Sequence, residues 1–209
     1  MKYDKYKYIF PPRPKNPVPM DELEYYESKN RFMAQPKLNG SNVVIFTDGT
    51  RTIVQNRHGS SFNSNQLANE IKRLYRGTGW MVLNGEYLNK NQNNALGSFN
   101  HKLVLFDILV MNNDHLIGHT FEERINLIYE LYGERGCKDP NLNSISENIF
   151  SVKTFYKNFT DKFQEITPIA VYEGLVLKRK TSKLENGTSV DNNHRSQIKC
   201  RKATLNYKF

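Results

Sequence analysis

The sequence is short of the residues that build disulfide frameworks, zinc sites and membrane spans. Its 209 residues include two cysteines, Cys137 and Cys200, with no CxxC motif and no histidine cluster beside either. This argues against a disulfide framework or a zinc site and favours a reducing compartment. No apolar run reaches membrane-spanning length, and the N-terminus lacks the apolar core of a signal peptide. We therefore expect a cytoplasmic protein with no membrane partner.

Acidic residues are scarce relative to basic ones. The 21 Asp and Glu residues stand against 30 Lys and Arg residues, which gives a net charge of +9. This balance favours a polyanionic partner, nucleic acid before membrane, although a generic basic surface would give the same count. At 38% hydrophobic and 24% charged residues, the composition is that of an ordinary globular protein.

Local patterns predict a mixture of strands and helices. β-branched runs on both sides of Asp48-Gly49 predict a hairpin. Further strands are predicted at 80–88, 102–111, 149–155, 172–180 and 197–201, helices at 20–26, 64–74, 120–131 and 161–166, and polar loops at 89–100 and 137–147. Strands and helices mix without regular βαβ alternation, so an α+β fold is expected.

Three predicted strands each carry a carboxylate in an otherwise apolar run, namely Glu86, Asp107 and Glu173. A buried carboxylate is costly unless it is paired, hydrogen-bonded or bound to a metal. For Asp107 alone, a structural ion pair is an equally good explanation. Lysines also lie in or beside strands, at positions 37, 178 and 199. Lysines and carboxylates around one cleft would suit a nucleoside triphosphate with its metal ion.

Six short motifs, taken in order, resemble those of the covalent nucleotidyltransferases. They are Lys37-Leu38-Asn39-Gly40, Arg57-His58-Gly59, Leu83-Asn84-Gly85-Glu86, Phe106-Asp107, Glu173-Gly174-Leu175-Val176-Leu177-Lys178 and Ile198-Lys199-Cys200-Arg201. That superfamily contains ATP-dependent DNA ligases, RNA ligases and mRNA capping enzymes. Each motif alone is weak, but six in the family order, over about residues 35–202, make a strong signal. The resemblance implies the ATP-grasp-like fold of ligase adenylation domains, in which helices flank two mainly antiparallel β-sheets and a nucleotide cleft lies between the sheets.

The resemblance also implies an activity, the ATP-dependent sealing of nicks in duplex DNA or RNA, as in DNA repair. Lys37 would attack the α-phosphate of ATP, release pyrophosphate and carry AMP. The AMP would then pass to the 5′-phosphate of a nick, and the 3′-hydroxyl would expel it. An ordinary lysine is protonated at neutral pH, and Lys178 and Lys199 would favour the neutral amine and bind the phosphates. With Glu173, Lys37 and Lys199 form the implied catalytic set.

The remaining implied roles concern the binding of ATP and of Mg²⁺ or Mn²⁺. Gln35 would accept a hydrogen bond from the adenine amino group, at a position where DNA ligases commonly have Glu. Phe106 would stack on adenine, or is a plain core aromatic. Glu173 and Glu86 would hold the metal ion, with the ribose as an alternative partner of Glu86. The other implied nucleotide-binding residues are Asn39, Gly40, Asn42, Arg57, Lys178, Lys199 and Arg201.

Three positions depart from the DNA ligase pattern. Asn39 stands where Asp is usual, Asn42 where Arg is frequent, and Arg201 where a second Lys is usual. Phage-type nick-sealing RNA ligases have Asn at the second of these positions and His at the first, so the match with them is split. Phe106-Asp107-Ile108-Leu109, followed by Thr120-Phe121-Glu122-Glu123-Arg124 at the start of a helix, is more similar to a DNA ligase. The choice between DNA and RNA therefore stays undecided.

We expect a single nucleotidyltransferase domain over residues 1–209, with an extended N-terminal arm over about 1–20 and no OB-fold domain. A partner domain or protein, or a longer native chain, would then supply the missing half of the clamp around nicked duplex. Two other functions stay open. One is a nucleic-acid-binding module of the same fold without catalysis, which Asn39 supports, and the other is a GTP-using guanylyltransferase. A purely structural role would leave the three strand carboxylates without a purpose.

Overall fold

The computed structural model describes residues 17–56, 60–61, 65–89, 93–184 and 196–202. The strands are β1 Pro17–Val18, β2 Phe32–Leu38, β3 Ser41–Thr47, β4 Thr52–Asn56, β5 Met81–Leu88, β6 Asn93–Asn94, β7 Gly97–Ser98, β8 Lys102–Met111, β9 Asp114–His115, β10 Leu142–Ser144, β11 Ile149–Val152, β12 Tyr172–Arg179 and β13 Gln197–Arg201. The α-helices are α1 Leu23–Ser28, which follows a 3₁₀ turn at Met20–Glu22, α2 Asn65–Leu74, α3 Phe121–Tyr132 and α4 Phe159–Ile166.

A four-stranded sheet in the order β1-β13-β12-β2 contains Lys37, Glu173 and Arg201. β12 is antiparallel to both of its neighbours, and the short β1 is parallel to β13. The register places Lys37 and Arg201 on either side of Gly174. Because side chains alternate along a strand, residues two apart on these strands share a face.

The second large sheet has seven strands. Its order is β10-β11-β8-β5-β3-β4, with β9 paired to β8, and the β8–β11 pair is parallel. The predicted hairpin is confirmed, because β3 and β4 pair antiparallel around Asp48-Gly49 and Gly49 has a φ of 82°. Glycine adopts this left-handed conformation without steric cost. The predicted α+β class with two mainly antiparallel sheets is likewise confirmed.

The buried apolar side chains form two hydrophobic cores. One core joins the seven-stranded sheet to α2 and α3. The other packs the four-stranded sheet, α1 and α4 against side chains of the seven-stranded sheet, among them Leu88, Val104 and Phe150. The predicted capping box of α3 is present, with Thr120 Oγ1 accepting from the backbone N–H of Glu123 and the Glu123 carboxylate accepting from that of Thr120. None of the helices in the described ranges has the length and apolar character that a bilayer crossing requires.

Two predicted polar loops contain strands. The prediction for 137–147 is wrong, because β10 runs through it and the side chains of Asp139, Asn141 and Asn143 are fully buried. Apolar periodicity cannot detect a three-residue strand in which one of the two buried residues, Asn143, is polar. Segment 89–100 contains the two-residue pair β6–β7, which Asn94 ties to the Asp139 carboxylate at 2.7 Å. The predicted arm up to residue 16 and the predicted helix cap at Ser64 lie outside the described residues.

Candidate active site

A β-bulge aims one carboxylate at Lys37. The register of β12 against β2 shifts between Tyr172 and Gly174, so two residues of β12 lie opposite one of β2. Such a bulge re-aims a side chain, and here it brings Glu173 Oε2 to 2.5 Å from Lys37 Nζ. Gly174 has a φ of 144°, and a Cβ there would collide with the Cys200 carbonyl oxygen, so the bulge requires glycine.

Glu173 is shared between two cations. Arg201 Nη2 donates to the same carboxylate oxygen as Lys37, at 2.7 Å. Although burial opposes ionisation, the two cations and their hydrogen bonds hold the pKa of Glu173 below its ordinary value. Glu173 is therefore an ionised carboxylate at neutral pH. The three residues come from β2, β12 and β13, and they remain partly open to solvent.

Glu86 stands on the opposing sheet, beside the turn that follows Lys37. The backbone N–H of Gly40 donates to Glu86 Oε1 at 3.1 Å, and a Cβ on Gly40 would lie only 2.6 Å from the Tyr87 carbonyl oxygen. Only glycine permits this close approach. Burial raises the pKa of Glu86 to about 7, and Lys37 opposes the shift. Asn42 lies opposite Glu86 in the β3–β5 register.

A second hydrogen-bond network begins two residues before Lys37. Gln35 Nε2 donates to Thr154 Oγ1 at 3.2 Å, and Thr154 Oγ1 lies 2.7 Å from Tyr129 Oη. Tyr129 Oη also donates to the Val152 carbonyl oxygen at 2.9 Å. Gln35 Oε1 is buried and has no hydrogen-bond partner within the described part of the chain.

Lys178 lies among aromatic rings, away from Lys37. Its Nζ is 4.8 Å from the ring centroid of Phe106 and 4.2 Å from that of Phe121. Lys178 pairs with Met33, four residues before Lys37 on β2, which is about 13 Å along a strand. Burial lowers the pKa of Lys178 to about 7, against the attraction of the Asp107 carboxylate. The structure thus places Lys178 beside the candidate adenine stacker Phe106, at a distance from the nucleophile.

Asp107 forms a structural ion pair. Arg124 Nε and Nη2 donate to its two carboxylate oxygens at 2.8 and 3.0 Å, and both side chains are at most 3% exposed. Arg124 Nη1 also donates to the His119 carbonyl oxygen at 2.8 Å. Of the two explanations open for Asp107, the structure supports the ion pair. Among the three strand carboxylates, Glu86 and Glu173 therefore remain for the cleft.

The other predicted site residues lie as follows. Asn39 is in the turn between β2 and β3, where its backbone N–H donates to the Val171 carbonyl oxygen at 2.9 Å. Lys199 pairs with Val176 in the β12–β13 register, which in turn pairs with Gln35, so all three share the face that carries Lys37. Arg57 lies outside the described residues. Sequence patterns did not indicate the roles of Thr154, Tyr129 or Arg124, because their partners come from distant segments.

The arrangement fits ATP with a divalent metal ion. The unpartnered Gln35 Oε1 can accept from an amino group of a base. No cluster of three or more His, Cys, Asp or Glu occurs within the described ranges. Mg²⁺ is usually held by one or two carboxylates together with substrate phosphates, and Glu173 and Glu86 are the two carboxylates near Lys37 that would serve. A separate groove of about 510 Å³ between α1 and α4 is lined by Glu24, Glu27 and Asp161, an acidic lining unsuited to phosphates.

The buried Lys178 amine gives a prediction for pH-dependent stability. Because its folded pKa is depressed, the unfolded chain binds more protons between about pH 7 and pH 10, and stability should rise with pH there. The contribution is complete above the unfolded pKa and is lost as the pH falls toward 7. Relative to Lys178→Met, the wild type should gain at most about 1.4 kcal/mol per pH unit. Urea unfolding at several pH values measures this. The exposed Lys183→Met should follow the wild type, and parallel curves for wild type and Lys178→Met would contradict the prediction.

The comparisons with known proteins agree on the fold. A model of the RNA ligase family matches residues 30–200. A mycobacterial DNA ligase D complexed with ATP and MES superposes with a TM-score of 0.61 at 15% identity, over 81% of this chain and 54% of that one. The ligase domain of M. tuberculosis LigD gives 0.58 at 14% identity, over 81% and 53%. A Lig E DNA ligase, described as a minimal scaffold, gives 0.55 at 15% identity, over 93% and 70%.

The structural matches concern the fold. At 14–15% identity, the solved structures show that the chain shares their fold. The chain spans about half the length of the two LigD structures. The comparison with curated protein sequences gave no match.

Proposed function

The chain belongs to the RNA ligase family, and from the chemistry of its cleft we propose that it is an ATP-dependent polynucleotide ligase. The observation that carries the proposal is the cluster around Lys37. A lysine, an ionised carboxylate and an arginine, from three separate strands, meet at one end of the cleft. Glu86 faces them from the other sheet. A structural ion pair needs one cation and one anion, whereas this set matches a nucleophile with a phosphate and metal site.

In the proposed first step, the Lys37 Nζ lone pair attacks the α-phosphorus of ATP and the bond to pyrophosphate breaks. The product is AMP joined to Nζ through a phosphoramidate bond, and Nζ must lose protons in the process. Lys37 must also leave its ion pair with Glu173 before it can act as a nucleophile. Glu173 and Glu86 would hold Mg²⁺ or Mn²⁺, which neutralises phosphate charge when bound. Arg201 and Lys199 would contact the phosphates.

In the proposed second and third steps, the AMP moves to nucleic acid. An oxygen of the 5′-phosphate of a nick attacks the phosphorus of the lysyl-AMP. The P–N bond breaks, the lysine takes up a proton and is restored as the amine, and a 5′-5′ adenylate is left on the nucleic acid. The 3′-hydroxyl then attacks that end and AMP leaves as the phosphodiester forms. All three steps are phosphoryl transfers, so positioning and charge stabilisation should dominate the catalysis. The net charge of +9 supports a polyanionic substrate, and a partner domain could complete the clamp.

A sealing assay tests the proposal. Wild-type protein is incubated with ATP, Mg²⁺ and nicked duplexes that have either ribose or deoxyribose on the 3′-hydroxyl side. Joined strands on at least one substrate, with a 5′-adenylated intermediate on the way, are expected. The preferred 3′ sugar then distinguishes an RNA from a DNA ligase. Salt-dependent duplex binding without any lysyl adduct would instead indicate a non-catalytic binding module, and an adduct with GTP but not ATP would indicate a guanylyltransferase.

A further inference from the structure

Hydrogen-bond directions fix the orientation of the Gln35 amide. The Val152 carbonyl oxygen can only accept, so Tyr129 Oη gives it its single proton over 2.9 Å. Burial raises the pKa of Tyr129, which keeps that proton in place. The Tyr129 oxygen can then only accept from Thr154 Oγ1, at 2.7 Å. With its own proton used, Thr154 Oγ1 offers a lone pair to Gln35.

This series of hydrogen bonds ends at Gln35, whose side-chain amide has one allowed orientation. Since Thr154 Oγ1 accepts, the Gln35 group that faces it must be the NH₂ group, at 3.2 Å. The carbonyl oxygen Oε1 must then lie on the other side, where it is buried without a partner in the described chain. Flipping the amide would reverse every bond, deprive the Val152 carbonyl of its donor from Tyr129, and leave two N–H groups unpaired instead of one oxygen.

We propose that Tyr129 and Thr154 are positioning residues that select adenine over guanine by holding the Gln35 amide with its oxygen toward the base. The inference rests on the proposed nucleotide cleft. Adenine carries an amino donor at position 6, and guanine carries an oxygen acceptor there. An oxygen acceptor held in the cleft would accept a hydrogen bond from the adenine amino group. The guanine oxygen would repel the same acceptor and leave it without a donor. Sites built around a defined hydrogen bond discriminate strongly for this reason.

Because residue 35 is a glutamine, its amide must be held in one orientation. The hydrogen bonds from Tyr129 through Thr154 to Gln35, which we call the relay, do this. A glutamate at position 35 would present an acceptor oxygen whichever way its side chain rotated, because both oxygens accept. A glutamine presents an acceptor in one of two orientations that differ little in shape. Without Thr154 and Tyr129, the amide could turn its NH₂ group to a guanine oxygen. The specificity for ATP therefore depends on two residues that do not touch the base.

The test compares the binding of ATP and GTP in the absence of divalent metal ions, so that no reaction occurs. Wild type should prefer ATP, and Thr154→Val, which removes the hydroxyl and keeps the shape, should lower that preference by about tenfold, the weight of one hydrogen bond. Thr154→Ser should retain it. In a Gln35→Glu background, Thr154→Val should leave the preference unchanged, since glutamate needs no orientation. Thermal unfolding shows that each variant is folded, and Tyr129→Phe replaces Thr154→Val if the latter is not.

The outcomes separate this inference from the proposed function. If wild type shows no preference, or if Thr154→Val keeps the wild-type preference or loses it equally in both backgrounds, the relay is overturned. Adduct formation from ATP with Mg²⁺ is measured in parallel. If the variants change the preference for ATP over GTP as expected but the wild type forms no adduct, the ligase activity is refuted and the relay stands. If the adduct forms but Thr154→Val keeps the wild-type preference for ATP, the relay is refuted and the proposed ligase activity stands.

Discussion

Lys37→Ala should lose the covalent AMP adduct, with adduct formation falling by about four orders of magnitude or more, because no other amine replaces the nucleophile. Lys37→Arg should lose it equally, although arginine keeps the positive charge beside Glu173. Together the two variants separate the nucleophile from the ion pair. The measurement is incubation with ATP labelled in its α-phosphate, followed by denaturing electrophoresis. Lys72→Ala on α2 removes one lysine outside the cleft and should label as the wild type does.

The same variants should keep part of the reaction. A nick whose 5′ end already carries AMP needs no lysine nucleophile, since the 3′-hydroxyl attacks it directly. Lys37→Ala should therefore still seal such a nick, while failing on a nick with a plain 5′-phosphate. Equal labelling of wild type and Lys37→Ala would remove Lys37 from the mechanism. Loss of sealing on both substrates in a folded Lys37→Arg variant would show that Lys37 acts beyond the first step.

Arg124→Met should destabilise the protein by about 3–5 kcal/mol, because it leaves the Asp107 carboxylate buried without its partner. Replacing the whole pair, as Asp107→Leu with Arg124→Met, should cost far less, since neither charge of the pair is left without the other. The difference between the two free energies of unfolding isolates the cost of the unpaired carboxylate. Urea unfolding at neutral pH measures both values.

The exposed Arg135 offers a matched control. Its side chain is open to solvent, so Arg135→Met should change the free energy of unfolding by at most about 0.5 kcal/mol. If Arg124→Met were as mild as this control, the pair would not be the structural element that its bidentate geometry indicates. An equally large loss in the double variant would point to packing, and not to charge, as the origin of the effect.

The parts of the fold that could be predicted are those that local sequence determines. The apolar runs at β5 and β8 and the capping box at Thr120 depend on neighbours within a few residues, and the structure has each of them. The strand β10 could not be predicted, because it has only three residues and one of its two buried residues, Asn143, is polar. The environment of Asn143 is set by segments distant in the chain, and periodicity records only the chain itself.

The candidate site also has a part that the sequence predicts and a part that only the folded structure shows. Motif order indicated that Lys37 and Glu173 act together, but periodicity gives no contact between residues 136 positions apart. The contact arises from the pairing of β2 with β12 and from a bulge that needs Gly174. Arg124 is a charged residue on the buried side of α3, and Thr154 follows the end of a strand, so neither carried a local signal. Each became visible through its partner.

The most direct test of the account is to locate the AMP. Wild-type protein is treated with ATP and Mg²⁺, digested under conditions that preserve phosphoramidate bonds, and mapped by mass spectrometry. We expect a single AMP group on the peptide that contains Lys37, with none when the metal ion is withheld. AMP on a different lysine, or bound ATP that never becomes covalent, would contradict this expectation.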